Sequence, residues 1–179
     1  MGEVKKYQII YADPPWAVKK ITRRVRPNQT AELDYPTMPL TEIKALPVWS
    51  ISLPTACLFL WTTHAYLPSA FDVMESWGFK YQRTITWDKQ NGMCLFGFHH
   101  RTEFLLFGYR GKAPEMYPRR PAFPTIVQAK SERHSAKPQI FRDLILPFGS
   151  PRVELFARQK TPGWDTWGNE VPNDVRLLA

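Results

Sequence analysis

The sequence is poor in cysteine and contains no long apolar run. Its two cysteines, Cys57 and Cys94, have no Cys or His neighbour at zinc-ligand spacing. A disulfide framework is therefore excluded, and the thiols are expected to be reduced in a cytoplasmic protein. The longest uncharged apolar stretch, residues 55–63, is far shorter than the roughly 20 residues that a bilayer span requires. We predict neither a membrane segment nor a metal site.

Glycine signatures are also missing, whereas proline is abundant. No Gly-x-Gly-x-x-Gly occurs, so a dinucleotide-type phosphate loop is not available. The 17 prolines are spread between apolar runs and do not form a tract, which predicts loops inside one domain and no linker. With 179 residues, 44% apolar and 22% charged, the chain has a globular composition. A single domain over residues 1–179 is expected.

Acidic residues are outnumbered by basic ones. The chain has 24 Lys and Arg against 16 Asp and Glu, for a net charge of +8. Five of the positive charges lie within eight residues, at Lys19, Lys20, Arg23, Arg24 and Arg26. Such a cluster favours a polyanion as partner, although runs of this kind also occur on faces that only meet solvent.

Apolar patterning predicts an α/β fold. Strands are expected at 7–12, 56–62, 81–87, 103–109 and 152–157, and helices at 68–77 and 138–146. The order strand, helix, strand over 56–87 is typical of a βαβ unit, so a mostly parallel sheet with helices on both faces is favoured. Residues 18–35, 89–101 and 112–133 show no regular pattern and contain basic residues. They are predicted to be active-site or substrate-binding loops.

The tetrapeptide Asp13-Pro-Pro-Trp16 follows the first predicted strand. The Asp13 carboxylate and the Pro14 carbonyl offer two adjacent hydrogen-bond acceptors, and Trp16 offers a flat apolar face. Two acceptors that hold both N–H bonds of an aromatic amine would return electron density to its nitrogen and orient the lone pair. An Asp-Pro turn that only caps a loop is the alternative. The strand-end position, where ligands gather in α/β folds, favours the chemical role.

This tetrapeptide is the first of eight sequence motifs that occur in the order seen in the MT-A70 family of N6-adenine methyltransferases. They are Asp13-Pro-Pro-Trp16, Leu33-Asp-Tyr-Pro-Thr-Met38, Leu58-Phe-Leu-Trp61, Thr84-Ile-Thr-Trp-Asp-Lys89, Glu103-Phe-Leu-Leu-Phe-Gly-Tyr-Arg-Gly111, His134-Ser-Ala-Lys-Pro138, Val153-Glu-Leu-Phe-Ala-Arg158 and Gly163-Trp-Asp-Thr-Trp-Gly-Asn-Glu170. The chain resembles this family over about residues 7–170. The resemblance implies a Rossmann-like methyltransferase fold with permuted motif order and S-adenosylmethionine as methyl donor.

The resemblance also assigns roles to residues. Asp13, Pro14, Pro15 and Trp16 would form the catalytic motif. Lys137, beside the start of a predicted helix with Pro138 in its first position, would bind the methionine carboxylate. The other implied cofactor residues are Asp13, Phe156, Arg158, Asn169 and Glu170. Better-studied eukaryotic members have Pro-His-Asn where this chain has Gln159-Lys160-Thr161, and Gln in place of Glu170.

Substrate contacts are predicted from basic and aromatic residues near the motifs. Tyr35 would line the pocket for the target base, and a lysine that follows a predicted strand would approach the substrate. The remaining candidates lie in the irregular segments. The full set is Tyr35, Lys19, Lys20, Arg23, Arg24, Lys89 and His100.

The predicted activity is methyl transfer to N6 of adenine in nucleic acid, with DNA favoured over RNA. RNA methylation stays open, as does a non-catalytic partner subunit that only binds nucleic acid. Methylation of a protein amide would use similar acceptors but usually an Asn-Pro-Pro-Tyr motif, which this chain lacks. Monomer and homodimer both stay open.

Overall fold

The computed structural model describes residues 5–17, 36–95, 97–112, 117–118, 122–130 and 136–177. It contains a seven-stranded sheet and three α-helices among these residues. The strands are β1 (Tyr7–Ala12), β2 (Ser52–Thr62), β3 (Lys80–Leu95), β4 (Phe98–Arg110), β5 (Ile126–Gln128), β6 (Arg152–Leu155) and β7 (Asp165–Trp167). The helices are α1 (Leu40–Ala45), α2 (Leu67–Ser76) and α3 (Gln139–Ile145).

The sheet has the order β5-β3-β4-β2-β1-β6-β7. Four of its pairings are parallel, namely β1 with β2, β1 with β6, β3 with β5 and β6 with β7. The strand β4 runs antiparallel to both of its neighbours, β2 and β3. The predicted mostly parallel α/β sheet is confirmed. The predicted βαβ unit is modified, because β4 lies between β2 and β3.

Helices cover both faces of the sheet, as predicted. Side chains of β1 and β2 alternate between two buried clusters because successive residues of a strand point to opposite faces. Ile10 and Leu58 pack with α1 and α2 on one face, while Ile9 and Phe59 pack with α3 on the other. The two central strands are therefore buried on both sides, which explains their continuous apolar sequences.

Local sequence signals determine where several elements end. The strand β1 ends before two consecutive prolines, which cannot donate to a ladder. Helix α2 begins with Pro68 in its first turn and is followed by Gly78, whose φ of +81° is a left-handed conformation that glycine adopts without strain. These signals lie within a few residues of the boundaries they set, so the sequence alone is sufficient to predict them.

Two of the three predicted loops contain regular structure. The prediction of an irregular loop over 89–101 is wrong. β3 continues to Leu95 and β4 begins at Phe98, so this segment is the end of a β-hairpin. Segment 112–133 includes the short strand β5, which pairs with β3. Segment 18–35 lies outside the described residues. The sequence patterns also missed α1 and β7, which are only six and three residues long.

The C-terminal ends of β1, β2 and β6 lie at one edge of the sheet. Ala12 pairs with Leu60 on one side and Leu155 on the other, so Asp13 emerges between β2 and β6. Because β4 is antiparallel, its first residues lie at this same edge. Among the described residues, no helix is both long and apolar enough to cross a membrane.

Candidate active site

The motif that follows β1 forms a tight turn. The Trp16 N–H donates to the Pro14 carbonyl at 2.8 Å, and the Met38 N–H donates to the Pro15 carbonyl at 2.9 Å. The Asp13 N–H donates to the Leu155 carbonyl at 3.5 Å, which ties the turn to β6. A carbonyl oxygen has two lone pairs, so the Pro14 oxygen can still accept a second hydrogen bond. The Pro14 oxygen thus uses one lone pair within the turn, and its pairing with the Asp13 carboxylate as an acceptor for an amine stays a prediction.

Lys137 lies at the centre of the site. Its Nζ is 3.0 Å from Oδ2 of Asp13 and 3.2 Å from Oε2 of Glu103, and it lies 5.2 Å from the ring centroid of Trp61. The Lys137 side chain is only 8% exposed. One buried ammonium therefore joins two carboxylates that come from different strand ends.

Glu103 was not predicted as a site residue. It lies near the start of β4, where its Oε1 also accepts from Nζ of Lys89 at 3.1 Å. Lys89 was predicted to approach the substrate, and the structure places it in this network. The four side chains form a continuous chain of alternating charge, from Lys89 through Glu103 and Lys137 to Asp13.

The pKa values in this network follow from burial and charge. Burial raises the pKa of Asp13, and the nearby Lys137 ammonium offsets only part of that rise. For Glu103, burial acts in the same direction, but Lys137 and Lys89 outweigh it and lower the pKa. Burial would lower the pKa of Lys137, yet its two carboxylate partners raise it. The two carboxylates therefore favour the charged form of Lys137, while burial and charge shift the pKa values of Asp13 and Glu103 in opposite directions.

Two adjoining cavities open beside Asp13, with volumes of about 290 Å³ and about 100 Å³. Together they reach the size of small-molecule sites, roughly 300–1,000 Å³. All six residues predicted to bind the cofactor line one or both of them: Asp13, Lys137, Phe156, Arg158, Asn169 and Glu170. A separate aromatic cavity of about 300 Å³ beneath Phe107 contains none of them and lies away from this edge. We assign the site to the two cavities because the charged groups converge there.

The backbone around the smaller cavity is unusual at two positions. Phe156, at the end of β6, has a φ of +61°, a region that a non-glycine residue occupies at a cost of roughly 1–3 kcal/mol and that is often found at functional sites. A Cβ on Gly168 would lie 2.3 Å from the Ala157 carbonyl oxygen. The segment before Asn169 therefore packs directly on the end of β6, which only glycine permits.

Two cofactor predictions are refined by the geometry. Pro138 precedes α3 with a ψ of 141°, so it lies outside the helix and is not its first residue. The ammonium of Lys137 is held by protein carboxylates, and its predicted contact with a methionine carboxylate stays a prediction. Arg158 Nε lies 3.7 Å from Glu170 Oε1, and both side chains are substantially exposed at the cavity rim.

Trp16 is buried, with 5% of its surface exposed. Its ring stacks on Tyr66 at a centroid distance of 5.3 Å and an interplanar angle of 20°. Its Nε1 donates to the Trp61 carbonyl at 3.1 Å. The predicted open aromatic face is thus covered by Tyr66, and Trp16 holds the turn of the motif against the core.

Most of the chain matches one known protein family. The MT-A70 family model matches residues 7–170. The chain belongs to the MT-A70 family of N6-adenine methyltransferases. The resemblance predicted from eight sequence blocks is confirmed, and so is the enzyme class that it implied.

Relatives of this MT-A70 protein come from several organisms. It is 34% identical to Type II methyltransferase M.MunI of Mycoplasma sp, over 95% of this chain and 80% of that protein. It is 29% identical to human N(6)-adenine-specific methyltransferase METTL4, over 93% of this chain but 38% of METTL4. N6-methyladenosine RNA methyltransferase MTA1 of Pyricularia oryzae is 26% identical, with 92% of this chain matched to 47% of MTA1.

The predicted substrate residues of this MT-A70 enzyme are only partly described. Lys19, Lys20, Arg23, Arg24 and Tyr35 lie outside the described residues. His100 is exposed on the β3–β4 hairpin, with its ring centroid 5.9 Å from that of His64. Its contact with substrate stays a prediction, as does that of Lys89.

No group of three or more His, Cys, Asp or Glu side chains in the described ranges is placed to hold a metal ion. The polar groups described at this sheet edge include the carboxylates of Asp13 and Glu103, the amines of Lys89 and Lys137 and the Pro14 carbonyl.

Proposed function

We propose that this chain transfers a methyl group from S-adenosylmethionine to N6 of adenine in DNA. The observation that carries the proposal is the position of Asp13, which lines both cavities at the catalytic edge. Asp13 therefore borders the proposed cofactor site and is followed directly by Pro14, whose carbonyl is the second proposed acceptor for the amine. Membership in the MT-A70 family supports the same chemistry.

The residues around the two cavities fit S-adenosylmethionine. The compound has an ammonium, a carboxylate, ribose hydroxyls and an adenine, so a fitting site needs groups of both signs and amides. Asp13 and Glu170 provide carboxylates, Arg158 provides a cation and Asn169 an amide, all on the cavity wall. Phe156 and Trp167 provide an apolar surface beside them, with ring centroids 5.3 Å apart. When bound, the cofactor would supply an electrophilic methyl group.

Asp13 and the Pro14 carbonyl bind and orient the amine. Each of them accepts a hydrogen bond from one of the two N–H groups of N6. The nitrogen lone pair is thereby directed toward the methyl group. Such positioning makes the transfer effectively unimolecular and supplies most of the acceleration. Transfer would break the sulfur–methyl bond and leave a neutral thioether; the methylated amine would then lose one proton, and Asp13 is the carboxylate in place to accept it. Lys137 stabilises the ionised form of Asp13 through its contact with Oδ2.

The target adenine must leave the base stack to reach Asp13. Enzymes that act on a base usually extrude it from the duplex into a pocket. The excess of basic residues provides attraction to phosphates, so binding is expected to weaken steeply with salt.

DNA is favoured over RNA on similarity. The identity to Type II methyltransferase M.MunI is 34% and extends over 80% of that protein, whereas RNA methyltransferase MTA1 matches at 26% over 47%. We place the enzyme in the cytoplasm, where S-adenosylmethionine and unpackaged DNA would both be available.

The test compares substrates directly. Purified protein and S-adenosylmethionine would be incubated with a set of duplex DNA, single-stranded DNA and RNA oligonucleotides that present adenine in varied contexts. Nucleoside mass spectrometry would then quantify N6-methyladenine. The proposal expects the modified base in DNA. Modification of RNA alone would overturn the DNA assignment, and saturable cofactor binding is expected from the enzyme but not from a non-catalytic partner subunit.

A further inference from the structure

The β3–β4 hairpin extends past the catalytic edge of the sheet. Thr62, the last residue of β2, pairs with Phe104, whereas β3 and β4 stay paired as far as Leu95 and Phe98. At about 3.3 Å per residue, the five steps from Glu103 to Phe98 extend on the order of 17 Å along the strand. The hairpin therefore forms a two-stranded ribbon that stands beside the active site.

The base of the ribbon is tightly bound. Asp88 accepts from Nε of Arg101 at 2.5 Å and from its second terminal nitrogen at 2.6 Å, and Gln128 adds a donor at 3.1 Å. Beyond this pair, residues 89–92 of β3 lie opposite Arg101 alone, so β3 has a bulge. A bulge of this kind bends and twists a hairpin, and such features often lie next to active sites.

The two strands come unusually close at Gly92, the last residue of the bulge. A Cβ on Gly92 would lie 2.5 Å from the His100 carbonyl oxygen, so only glycine fits there. The His99 ring Nε2 lies 3.0 Å from the Gly92 carbonyl oxygen and adds a cross-strand contact. The ribbon is thus held in a defined shape by contacts along its length.

The tip of the ribbon exposes an aromatic ring. Phe98 has 74% of its surface exposed, and Gly97 before it turns the chain with a φ of +80°. The sequence contains no acidic residue from 89 to 102, but it contains Lys89, His99, His100 and Arg101. An exposed aromatic ring among such residues is suited to base stacking close to phosphates.

The base of the ribbon is also part of the catalytic network. Lys89 lies in the bulge, and its Nζ is 3.1 Å from Oε1 of Glu103. Glu103 in turn contacts Lys137, which contacts Asp13. The ribbon and the acceptor for the amine are therefore held in a common arrangement.

We infer that this ribbon enters the major groove of duplex DNA and that Phe98 fills the gap left in the base stack by the extruded adenine. The inference rests on the proposed function and adds the element that opens the duplex. Adenine presents its N6 in the major groove, and that groove admits a two-stranded β-ribbon. Apolar side chains of other DNA-binding proteins, which approach from the minor groove, insert between base steps and hold them unstacked. Phe98 is the described side chain at the tip that has this character and exposure.

The test compares Phe98→Ala with wild type on two substrates of the same sequence. One is a duplex with the target adenine paired, and the other is the single strand, where there is no stack to open. Single-turnover methylation rates would be measured, and 2-aminopurine at the target would report base extrusion by its fluorescence. Phe98→Trp keeps an aromatic wedge. Trp49→Ala is the matched control, since Trp49 is 56% exposed and lies before β2 at the opposite end of the sheet.

We expect Phe98→Ala to lose about tenfold or more in rate and most of the fluorescence rise on the duplex, and less than about twofold on the single strand. Phe98→Trp should keep the duplex rate, and Trp49→Ala should match wild type on both substrates. Equal losses on both substrates, or no loss on the duplex, would overturn the inference. Wild type that methylates only single strands would also overturn it and leave the proposed reaction intact, whereas wild type without activity on any nucleic acid refutes the proposed function itself.

Discussion

Nζ of Lys137 lies 3.0 Å from Oδ2 of Asp13, and both side chains are largely shielded from solvent. The same ammonium contacts Glu103, so one cation is shared between two carboxylates. Burial favours a neutral Asp13, and Lys137 opposes that tendency. The proposed acceptor for the amine therefore depends on a neighbour that need not touch the substrate to act.

Removal of Lys137 should shift the pH profile of the reaction. The pKa of Asp13 is already raised by burial, and loss of the cation in Lys137→Met would raise it further. In the proposed mechanism Asp13 accepts a hydrogen bond and later a proton in its ionised form, so activity is expected to fall as pH falls through this pKa. We expect the acid limb of the kcat profile to move to higher pH in the variant. Lys6→Met is the control, because Lys6 contacts the Ser50 carbonyl far from the site. An unchanged acid limb in Lys137→Met would show that Asp13 does not govern it.

Glu103→Gln should reduce stability at neutral pH by about 1–3 kcal/mol, because the variant leaves Lys89 without its charged partner and Lys137 with Asp13 alone. The pKa of Glu103 is lowered in the folded protein by Lys137 and Lys89, which outweigh burial. A carboxylate with a lowered pKa stabilises the fold above its unfolded pKa, and that contribution disappears as pH falls through the folded pKa. The stability difference between wild type and variant, measured by urea unfolding, should therefore shrink below about pH 4.5. A constant difference down to pH 3 would contradict this account.

The buried pair of Arg142 and Glu154 should be important for folding. Two hydrogen bonds, at 2.9 Å and 2.5 Å, join the guanidinium to the carboxylate, and both side chains are less than one tenth exposed. Glu154→Gln would leave a buried cation without its counterion, at a cost of about 3–5 kcal/mol. The double variant Arg142→Met with Glu154→Gln should regain part of that loss in thermal unfolding. A double variant as unstable as the sum of its two single changes would exclude this coupling.

Gly168→Ala should weaken cofactor binding. A Cβ at this position would lie 2.3 Å from the Ala157 carbonyl oxygen and would push Asn169 away from the end of β6. Calorimetric titration with S-adenosylmethionine should show affinity reduced by about tenfold or more, since sites held within about 0.5 Å are sensitive to such shifts. Gly163→Ala is the control: its φ of +80° makes it destabilising, yet a Cβ there meets only Arg152 at 3.9 Å. Equal affinity losses in both variants would point to general destabilisation.

Much of the site could be predicted from sequence because its signals are local. Asp13 follows an apolar strand and precedes two prolines, and Lys137 adjoins a proline before a helix. These patterns are enough to place both residues at strand or helix ends. Their 3.0 Å contact brings together residues that are 124 positions apart, and no local pattern predicts such a distance.

Glu103 shows why the remainder was missed. An acidic residue at the start of an apolar strand is a visible signal, but in a parallel sheet it would lie at the edge away from Asp13. The antiparallel direction of β4 brings it to the catalytic edge. Strand direction depends on pairing between distant segments, which apolar patterning does not encode.

The β3–β4 hairpin was missed for a related reason. Residues 89–101 lack the alternating pattern of a strand with one buried face, and residues 89–92 and 97–101 are half-buried or exposed. Their strand structure comes from cross-strand contacts, above all those of Asp88 with Arg101 and of Gly92 with His99.

The most direct test of the account is methyl transfer by Asp13→Asn. This variant keeps the size of the side chain but replaces the carboxylate with an amide, so that it loses the charge and the proton acceptor. Nucleoside mass spectrometry of DNA treated with wild type should reveal N6-methyladenine. The methylation rate of Asp13→Asn should be lower by about 10²-fold or more, although the variant should still bind S-adenosylmethionine. If Asp13→Asn methylated adenine at the wild-type rate, the reaction would not need the negative charge of Asp13 or its capacity to accept a proton, and the account would be contradicted.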